Sequence, residues 1–129
     1  MPKFSQLSNQ RIELADRRLQ FLLNKAIEIY DFSVLASFRG KEEQDAAFAL
    51  GYSKTEYPGS KHNRYPSLAV DLAPYPIDWN DKESFFLLAG IMLGLAKANN
   101  IGLRWGGDWD GDGDTKDQNF NDYGHFELR

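Results

Sequence analysis

The stretch GSKHNRYPSLAVDLAPYPIDW, residues 59–79, contains one of the two histidines of the chain and places Asp71 inside an apolar run. In its LAVDLA segment, Asp71 alternates with Val70 and Leu72, a pattern that predicts a buried strand with the aspartate on the opposite face. A buried carboxylate costs several kcal/mol unless it is paired or binds a metal. Asp71 is therefore the first candidate functional residue.

Length and composition limit what surrounds this strand. The chain has 129 residues, of which 42% are hydrophobic and 14% aromatic, so we expect a single domain over residues 1–129. A formal charge of -4 argues against nucleic acid as a partner. No apolar run reaches the roughly 18–20 residues of a membrane span, and the amino terminus lacks the apolar region of a secretory signal. Because cysteine is absent, any metal must be bound by His, Asp, Glu or backbone oxygen.

The remaining elements follow from periodicity and end signals. The predicted order is a helix over 9–30 capped by Ser8 or Asn9, a strand over 32–38, a helix over 40–51, a loop over 52–67, the strand around Asp71, a helix from an Asn80 cap to about Asn99, a strand over 101–105, an acidic loop, and a closing strand over 124–129. In that closing strand, His125 and Glu127 share one face, while Phe126 and Leu128 share the other.

Candidate metal ligands lie on three separate segments: His62, Asp71 and His125. Two imidazoles and one carboxylate, with one open position, are what a catalytic zinc site needs. Each histidine is also compatible with a purely structural role, and spacing alone does not decide between the two.

Two further side chains are candidates for the chemistry. Asp122 lies three residues before His125, so it reaches the same side of the strand only if the chain turns near Gly124; it would then be a general base, and otherwise a turn-stabilising residue. Arg39 follows a predicted strand and would bind a substrate carboxylate or a developing oxyanion, or else pair with Glu42 or Glu43 at the surface.

The acidic loop is a candidate calcium site. Asp108, Asp110 and Asp112 alternate with other residues and precede Gly113, as at the start of an EF-hand loop. Asp114 and Asp117 follow in the same loop and are further candidate ligands. The twelfth position is Asn119 instead of the bidentate glutamate, so another residue would have to complete the coordination. The alternative is a solvated acidic loop, in which these carboxylates repel one another.

Several segments together resemble a known family. SKH followed by AVDL, then RWGGDW, then DYGHFEL occur in order in the last three quarters of the chain. In this combination the sequence resembles the metallopeptidases that include D-alanyl-D-alanine carboxypeptidases and dipeptidases, and most closely their phage and bacterial L-alanyl-D-glutamate endopeptidase branch.

The resemblance implies roles for individual residues. It implies zinc ligation by His62, Asp71 and His125, an acid/base role for Asp122, and a match of Arg39 in SFRG to the arginine of the family. His62 and Asp71 are nine positions apart, whereas the commoner family motif has seven. A loop absorbs two residues at little cost, so we expect both ligands to be kept. We expect the wall of the substrate cleft that this loop forms to differ.

The implied fold is α+β, a small antiparallel sheet with helices packed on one side, as in the zinc-peptidase domain shared with Hedgehog signalling domains. Calcium-loaded acidic loops also occur among relatives. Since the acidic loop joins the RWGG strand to the closing strand, cation binding there is expected to order Asp122 and His125 and so to switch on activity. Glu127 is expected either to orient a ligand histidine or to form a surface ion pair.

The sequence thus predicts a zinc-dependent peptidase, with calcium as a second cation, that cleaves the stem peptide of bacterial peptidoglycan at the L-Ala–D-Glu bond. It would be a monomeric phage or prophage lysis enzyme, made in the host cytoplasm and reaching the cell wall after membrane permeabilisation. Two alternatives stay open. One is a D,D-carboxypeptidase or dipeptidase with the same metal chemistry, and the other is a catalytically silent, calcium-dependent binding module.

Overall fold

The computed structural model describes residues 2–114, 116 and 122–129, which form four α-helices, one 3₁₀ helix and four strands. The elements are α1 (Gln6–Glu13), α2 (Arg17–Ala26), β1 (Phe32–Ala36), α3 (Lys41–Ala49), a 3₁₀ helix (Lys61–Asn63), β2 (Ala69–Pro74), α4 (Lys82–Ala98), β3 (Leu103–Gly106) and β4 (Asp122–Leu128).

The strands form one antiparallel sheet in the order β1-β2-β4-β3. The two central strands, β2 and β4, pair with Asp71 directly opposite His125. Because side chains alternate between the faces of a strand, this register places both residues on the same face of the sheet. The predicted α+β class is confirmed.

The other face of the sheet carries the core. Val70 and Leu72 of β2 and Phe126 and Leu128 of β4 are buried there, in the alternation that the sequence predicts. They belong to one apolar cluster with buried residues of α2 and α4, namely Leu19, Leu22, Leu23, Leu88, Ala89 and Met92. Burying each large aliphatic side chain stabilises the fold by about 1.5–3 kcal/mol. The sheet is therefore anchored on one face and left open for a site on the other.

The single helix predicted over 9–30 is wrong, because the chain forms α1 and α2 with a break between them. At the break, the backbone N–H of Asp16 donates to the Ser67 carbonyl at 2.8 Å, and the Ser67 N–H donates to the Leu14 carbonyl at 2.8 Å. The Asp16 carboxylate then accepts from the Arg18 N–H and caps α2. Tertiary pairing with Ser67 thus interrupts a helical pattern that looks continuous in the sequence.

Smaller boundaries also differ from expectation: β1 ends at Ala36 instead of residue 38, β3 begins at Leu103 instead of residue 101, and β4 begins at Asp122 instead of residue 124. The cap of α4 is Asp81, whose carboxylate accepts from the Ser84 N–H, instead of Asn80. The predicted loop over 52–67 contains the 3₁₀ helix, which Ser60 caps by accepting from the His62 N–H. Within the described part of the chain, no helix has both the length and the apolar character to cross a membrane.

Candidate active site

The open face of the sheet brings His62, Asp71 and His125 together, from the 3₁₀ helix, β2 and β4 respectively. The Asp71 Oδ1 atom lies 3.3 Å from His62 Nε2 and 3.1 Å from His125 Nδ1. The two ring nitrogens are 3.3 Å apart. These three donor atoms form a nearly equilateral triangle.

The triangle fits a small divalent cation. Ligand atoms about 2.0–2.1 Å from a tetrahedral zinc ion lie about 3.3 Å from one another, which is the spacing found here. Both histidines are buried, with 2% of His62 and 7% of His125 exposed. The structure therefore contains a possible His–Asp–His metal site built from the three residues that the sequence singled out.

Hydrogen bonds on the outer ring nitrogens orient both histidines. The Nδ1 atom of His62 lies 2.7 Å from the Ser37 carbonyl oxygen, which can only accept, so the proton is on Nδ1 and the Nε2 lone pair faces the centre. His125 Nε2 lies 2.8 Å from Glu127 Oε1, and a proton on Nε2 leaves the Nδ1 lone pair facing the centre. Both tautomers suit metal binding.

Glu127 has further charged neighbours. Its Oε2 atom lies 3.4 Å from Lys61 Nζ and 3.9 Å from Arg104 Nη1. Burial acts to raise the pKa of Glu127, but the hydrogen bond from His125 and the nearby positive charges outweigh it and lower that pKa. Glu127 is therefore an ionised hydrogen-bond partner of His125 that also pairs with Lys61.

The electrostatics at the centre favour a positive charge. Burial acts to raise the pKa of Asp71, yet hydrogen bonds with His125 and His62 hold that pKa well below its usual range. For His125, burial acts to lower the pKa, but Asp71 and Glu127 raise it to about 9. A proton or a metal ion between these side chains is stabilised by the same carboxylates, and a metal must displace the proton to bind.

Asp122 lies on the same side as His125, although a regular strand would place the two on opposite faces. Its Oδ2 atom is 4.0 Å from His125 Nδ1. The pairing of β3 with β4 is irregular here, since Trp105 pairs with Phe126 whereas the next residue, Gly106, pairs with Asp122. This bulge in β4 is the local turn that the sequence required.

Glycines allow the bulge to form. A Cβ atom on Gly106 would overlap the carbonyl oxygen of Asp122, and one on Gly124 would overlap that of Leu72. Burial raises the pKa of Asp122, and the negative charge of Asp71 raises it further. The close backbone approach thus places a carboxyl group with a raised pKa beside the triangle.

Arg39 points into the site from the segment after β1. Its Nη2 atom lies 3.5 Å from Asp71 Oδ2, and its backbone N–H donates to the His62 carbonyl at 2.7 Å. The guanidinium therefore pairs with Asp71 of the candidate metal site. The alternative, an ion pair with Glu42 or Glu43 at the surface, is not the arrangement found.

Gln44 of α3 was not singled out from the sequence, although it is fully buried beside Arg39. Its Oε1 atom accepts from Arg39 Nη1 at 2.8 Å and from Asn63 Nδ2 at 3.2 Å. Its Nε2 atom donates to Ser53 Oγ at 2.9 Å and to the Thr55 carbonyl at 2.6 Å. One amide thus joins the arginine, the segment that carries His62 and the rim of the cleft.

Replacing Gln44 with leucine is expected to weaken both the fold and substrate binding. The change removes the acceptor of Arg39 Nη1, at a cost of about 1–3 kcal/mol for a largely buried group left unsatisfied, whereas the Thr55 carbonyl still accepts from Ser53 Oγ. Unfolding by urea and steady-state kinetics would measure the two effects. Gln10→Leu, at an exposed position of α1, is the matched control, and equal effects of the two changes would contradict the role of Gln44.

The acidic loop lies beside the site in the part that the structure describes. Carboxylate oxygens of Asp108, Asp110 and Asp112 lie within 4.8 Å of one another. Asp114 Oδ1 accepts from the Lys116 N–H at 2.8 Å, whereas Asp117 lies outside the described residues, as does Asn119 at the twelfth position of the motif.

The loop also contacts the histidine cluster. The ring of Trp109, between two of the aspartates, packs against the ring of His125 with centroids 5.3 Å apart. Burial raises the pKa of Asp108, and the carboxylates of Asp110 and Asp112 add to that effect. A cation would relieve this repulsion. Through the ring of Trp109, the loop is in direct contact with His125.

Comparisons with known proteins agree with the resemblance seen in the motifs. A family model described as phage L-alanyl-D-glutamate peptidase matches residues 1–129. The L-alanyl-D-glutamate peptidase of Escherichia phage T5 is 33% identical over 134 residues, covering 98% of this chain and 97% of that protein. The L-Ala D-Glu endopeptidase ChiX of Serratia marcescens has a similar fold, with a TM-score of 0.77 at 22% identity over 98% of this chain and 90% of its own. The chain therefore belongs to the phage L-alanyl-D-glutamate peptidase family.

Proposed function

We propose that this protein is a metal-dependent peptidase that hydrolyses the L-Ala–D-Glu bond in the stem peptide of peptidoglycan, with zinc held by His62, Asp71 and His125. The observation that carries the proposal is the convergence of three donor atoms, 3.1–3.3 Å apart, in a member of this peptidase family. His62 Nε2 and His125 Nδ1 face the same Asp71 oxygen, an arrangement that a single bound cation would satisfy.

The remaining side chains have distinct tasks in this reaction. Zinc bound at the triangle would supply Lewis acidity at neutral pH. The Asp122 carboxylate takes a proton from the attacking water and returns it to the leaving amine of D-Glu. Its pKa, raised by burial and by Asp71, lies closer to the working pH, which suits a group that must both accept and donate a proton. Arg39 hydrogen-bonds to the substrate carbonyl or carboxylate.

Glu127 positions His125. Its hydrogen bond to Nε2 fixes the tautomer and the orientation of the ring, and Lys61 holds the other carboxylate oxygen. Outer partners of this kind typically change metal affinity by about 10- to 100-fold when they are lost.

Digestion of purified peptidoglycan tests the proposed bond. Metal-stripped protein with zinc restored should create new amino-terminal glutamate on the stem peptide, detected by end-group analysis and by fragment masses. Release of D-alanine would support the D,D-carboxypeptidase alternative. Absence of any product under every metal condition would support the catalytically silent module.

We further propose that the acidic loop binds calcium and supports activity through Trp109 and His125. Zinc-loaded protein should turn over more slowly in a calcium chelator that spares zinc than in excess calcium, because the loop carboxylates would repel one another without the cation. The measurement is the rate of peptide release under both conditions. Equal rates would contradict the coupling.

For its biological setting, we propose a monomer with one domain over residues 1–129, made in the host cytoplasm and admitted to the cell wall when the membrane is permeabilised during phage lysis. Family membership supports an action on the wall. Sedimentation of the purified protein tests the monomer.

A further inference from the structure

The candidate centre lies where two lobes of one cleft meet. A lobe of about 260 Å³ and a lobe of about 370 Å³ share four lining residues, Arg39, Tyr52, Asp71 and Asp122. Because the shared residues include the candidate general base and a candidate metal ligand, a peptide that crosses the centre must occupy one lobe on each side of the bond that is cut.

The two lobes differ in charge. Beyond the shared residues, the smaller lobe is lined by Lys54, Lys61 and Glu127 together with the two histidines and other residues, and we name it the polar lobe. The larger lobe, which we name the aromatic lobe, is lined beyond the shared residues by uncharged groups alone in the described part of the chain: Leu35, Leu72, Trp79, Phe85, Tyr123 and Gly124.

Trp79 gives the aromatic lobe an exposed and supported face. The residue is 67% exposed, yet its ring stacks on Phe85 with centroids 5.6 Å apart and an interplanar angle of 23°. Phe85 is itself only 3% exposed and belongs to α4. One face of the indole therefore rests on the core, and the other is available to a flat or saturated ring.

The two sides of an L-Ala–D-Glu bond in peptidoglycan differ in the same way as the lobes. The D-Glu residue carries a carboxylate next to the leaving amine. On the other side, the alanine side chain is a methyl group, and its amino group is acylated by the lactyl group of an N-acetylated sugar, so this side carries no charge. Among the described residues beyond the shared ones, cationic side chains line only the polar lobe, where Lys61 is paired with Glu127. Charge complementarity therefore places D-Glu on the side of that lobe.

We propose that the aromatic lobe is the subsite for the L-Ala residue and its N-acetylmuramoyl sugar, with the sugar ring resting on Trp79. This inference rests on the proposed function. Continuity of the lobe with the candidate centre, its lack of charge beyond the shared residues, and the supported indole face all favour this occupant over a charged peptide.

The test compares two soluble substrates, one with N-acetylmuramic acid on the L-Ala amine and one with that amine free. Trp79→Ala is expected to lower kcat/KM about tenfold for the muramoyl substrate and to leave the free-amine substrate nearly unchanged. Trp79→Phe should retain most of the preference. Tyr75→Ala is the matched control, since Tyr75 is 63% exposed in the same segment but lines neither lobe.

The outcomes separate the subsite from the function. An equal loss on both substrates, no loss on either, or the same loss in Tyr75→Ala would overturn the subsite while leaving the peptidase intact. If the wild-type protein cleaves neither substrate at the L-Ala–D-Glu bond, the proposed function is wrong, and the proposed subsite is wrong as well.

Discussion

Replacing Asp122 with alanine is expected to lower turnover by about 10²- to 10⁴-fold, the usual contribution of general acid–base catalysis, while zinc content and fold are retained. The three donor atoms of the triangle belong to other residues, so the metal should stay bound. The side chain of Asp122 is 38% exposed and lies outside the apolar core, so its loss removes little packing. Single-turnover kinetics on a defined stem peptide would measure the effect.

Asp122→Asn sharpens this experiment, because the amide keeps the size of the side chain but cannot take the proton. It should be nearly as slow as the alanine variant. Asp45→Ala is a matched control, since Asp45 is an exposed carboxylate paired with Lys41 on the surface of α3, and surface changes of this kind are small. Turnover near that of the wild type in both Asp122 variants would remove the residue from the mechanism.

Asp71→Ala is expected to abolish both zinc binding and turnover. The change removes the only carboxylate of the triangle and leaves two imidazoles, whose attraction for a divalent cation is much weaker without a negative charge between them. The loss of affinity should exceed the roughly 10- to 100-fold typical of removing a hydrogen-bond partner of a ligand. Zinc titration against a competing chelator would measure it.

The zinc affinity of Glu127→Ala provides the comparison for that of Asp71→Ala. The Glu127 change removes the hydrogen bond to His125 Nε2 but none of the three donor atoms, so it should weaken zinc binding less than Asp71→Ala does. A zinc affinity in Asp71→Ala equal to that of the wild-type protein would show that the metal binds elsewhere.

Two residues of the candidate site stand out in the sequence against strand patterns, whereas the choice of His62 as a ligand and the assignment of roles depended on the family resemblance. Asp71 interrupts an apolar alternation, and His125 lies on the polar face of a strand whose other face holds Phe126 and Leu128. What the sequence did not show is their register, in which Asp71 and His125 pair directly. Local periodicity carries no information on which strands become neighbours.

The features that were missed depend on contacts distant in sequence. The break between α1 and α2 is formed by pairing with Ser67, while buried Ile12 and Leu19 continue a helical period across it. Gln44 reads as an ordinary polar residue of α3, because its partners lie at Arg39, at Asn63 and on the rim of the cleft. Such partners become visible only when the chain is folded.

The most direct test of the proposed metal centre measures zinc content and turnover on the same samples, as zinc is returned stepwise to metal-stripped protein acting on purified peptidoglycan. Activity should rise in proportion to bound zinc and level off at one ion per chain, and Asp71→Ala should show neither binding nor activity over the same range. Full turnover of the stripped protein, or turnover restored in Asp71→Ala, would contradict the proposed metal centre.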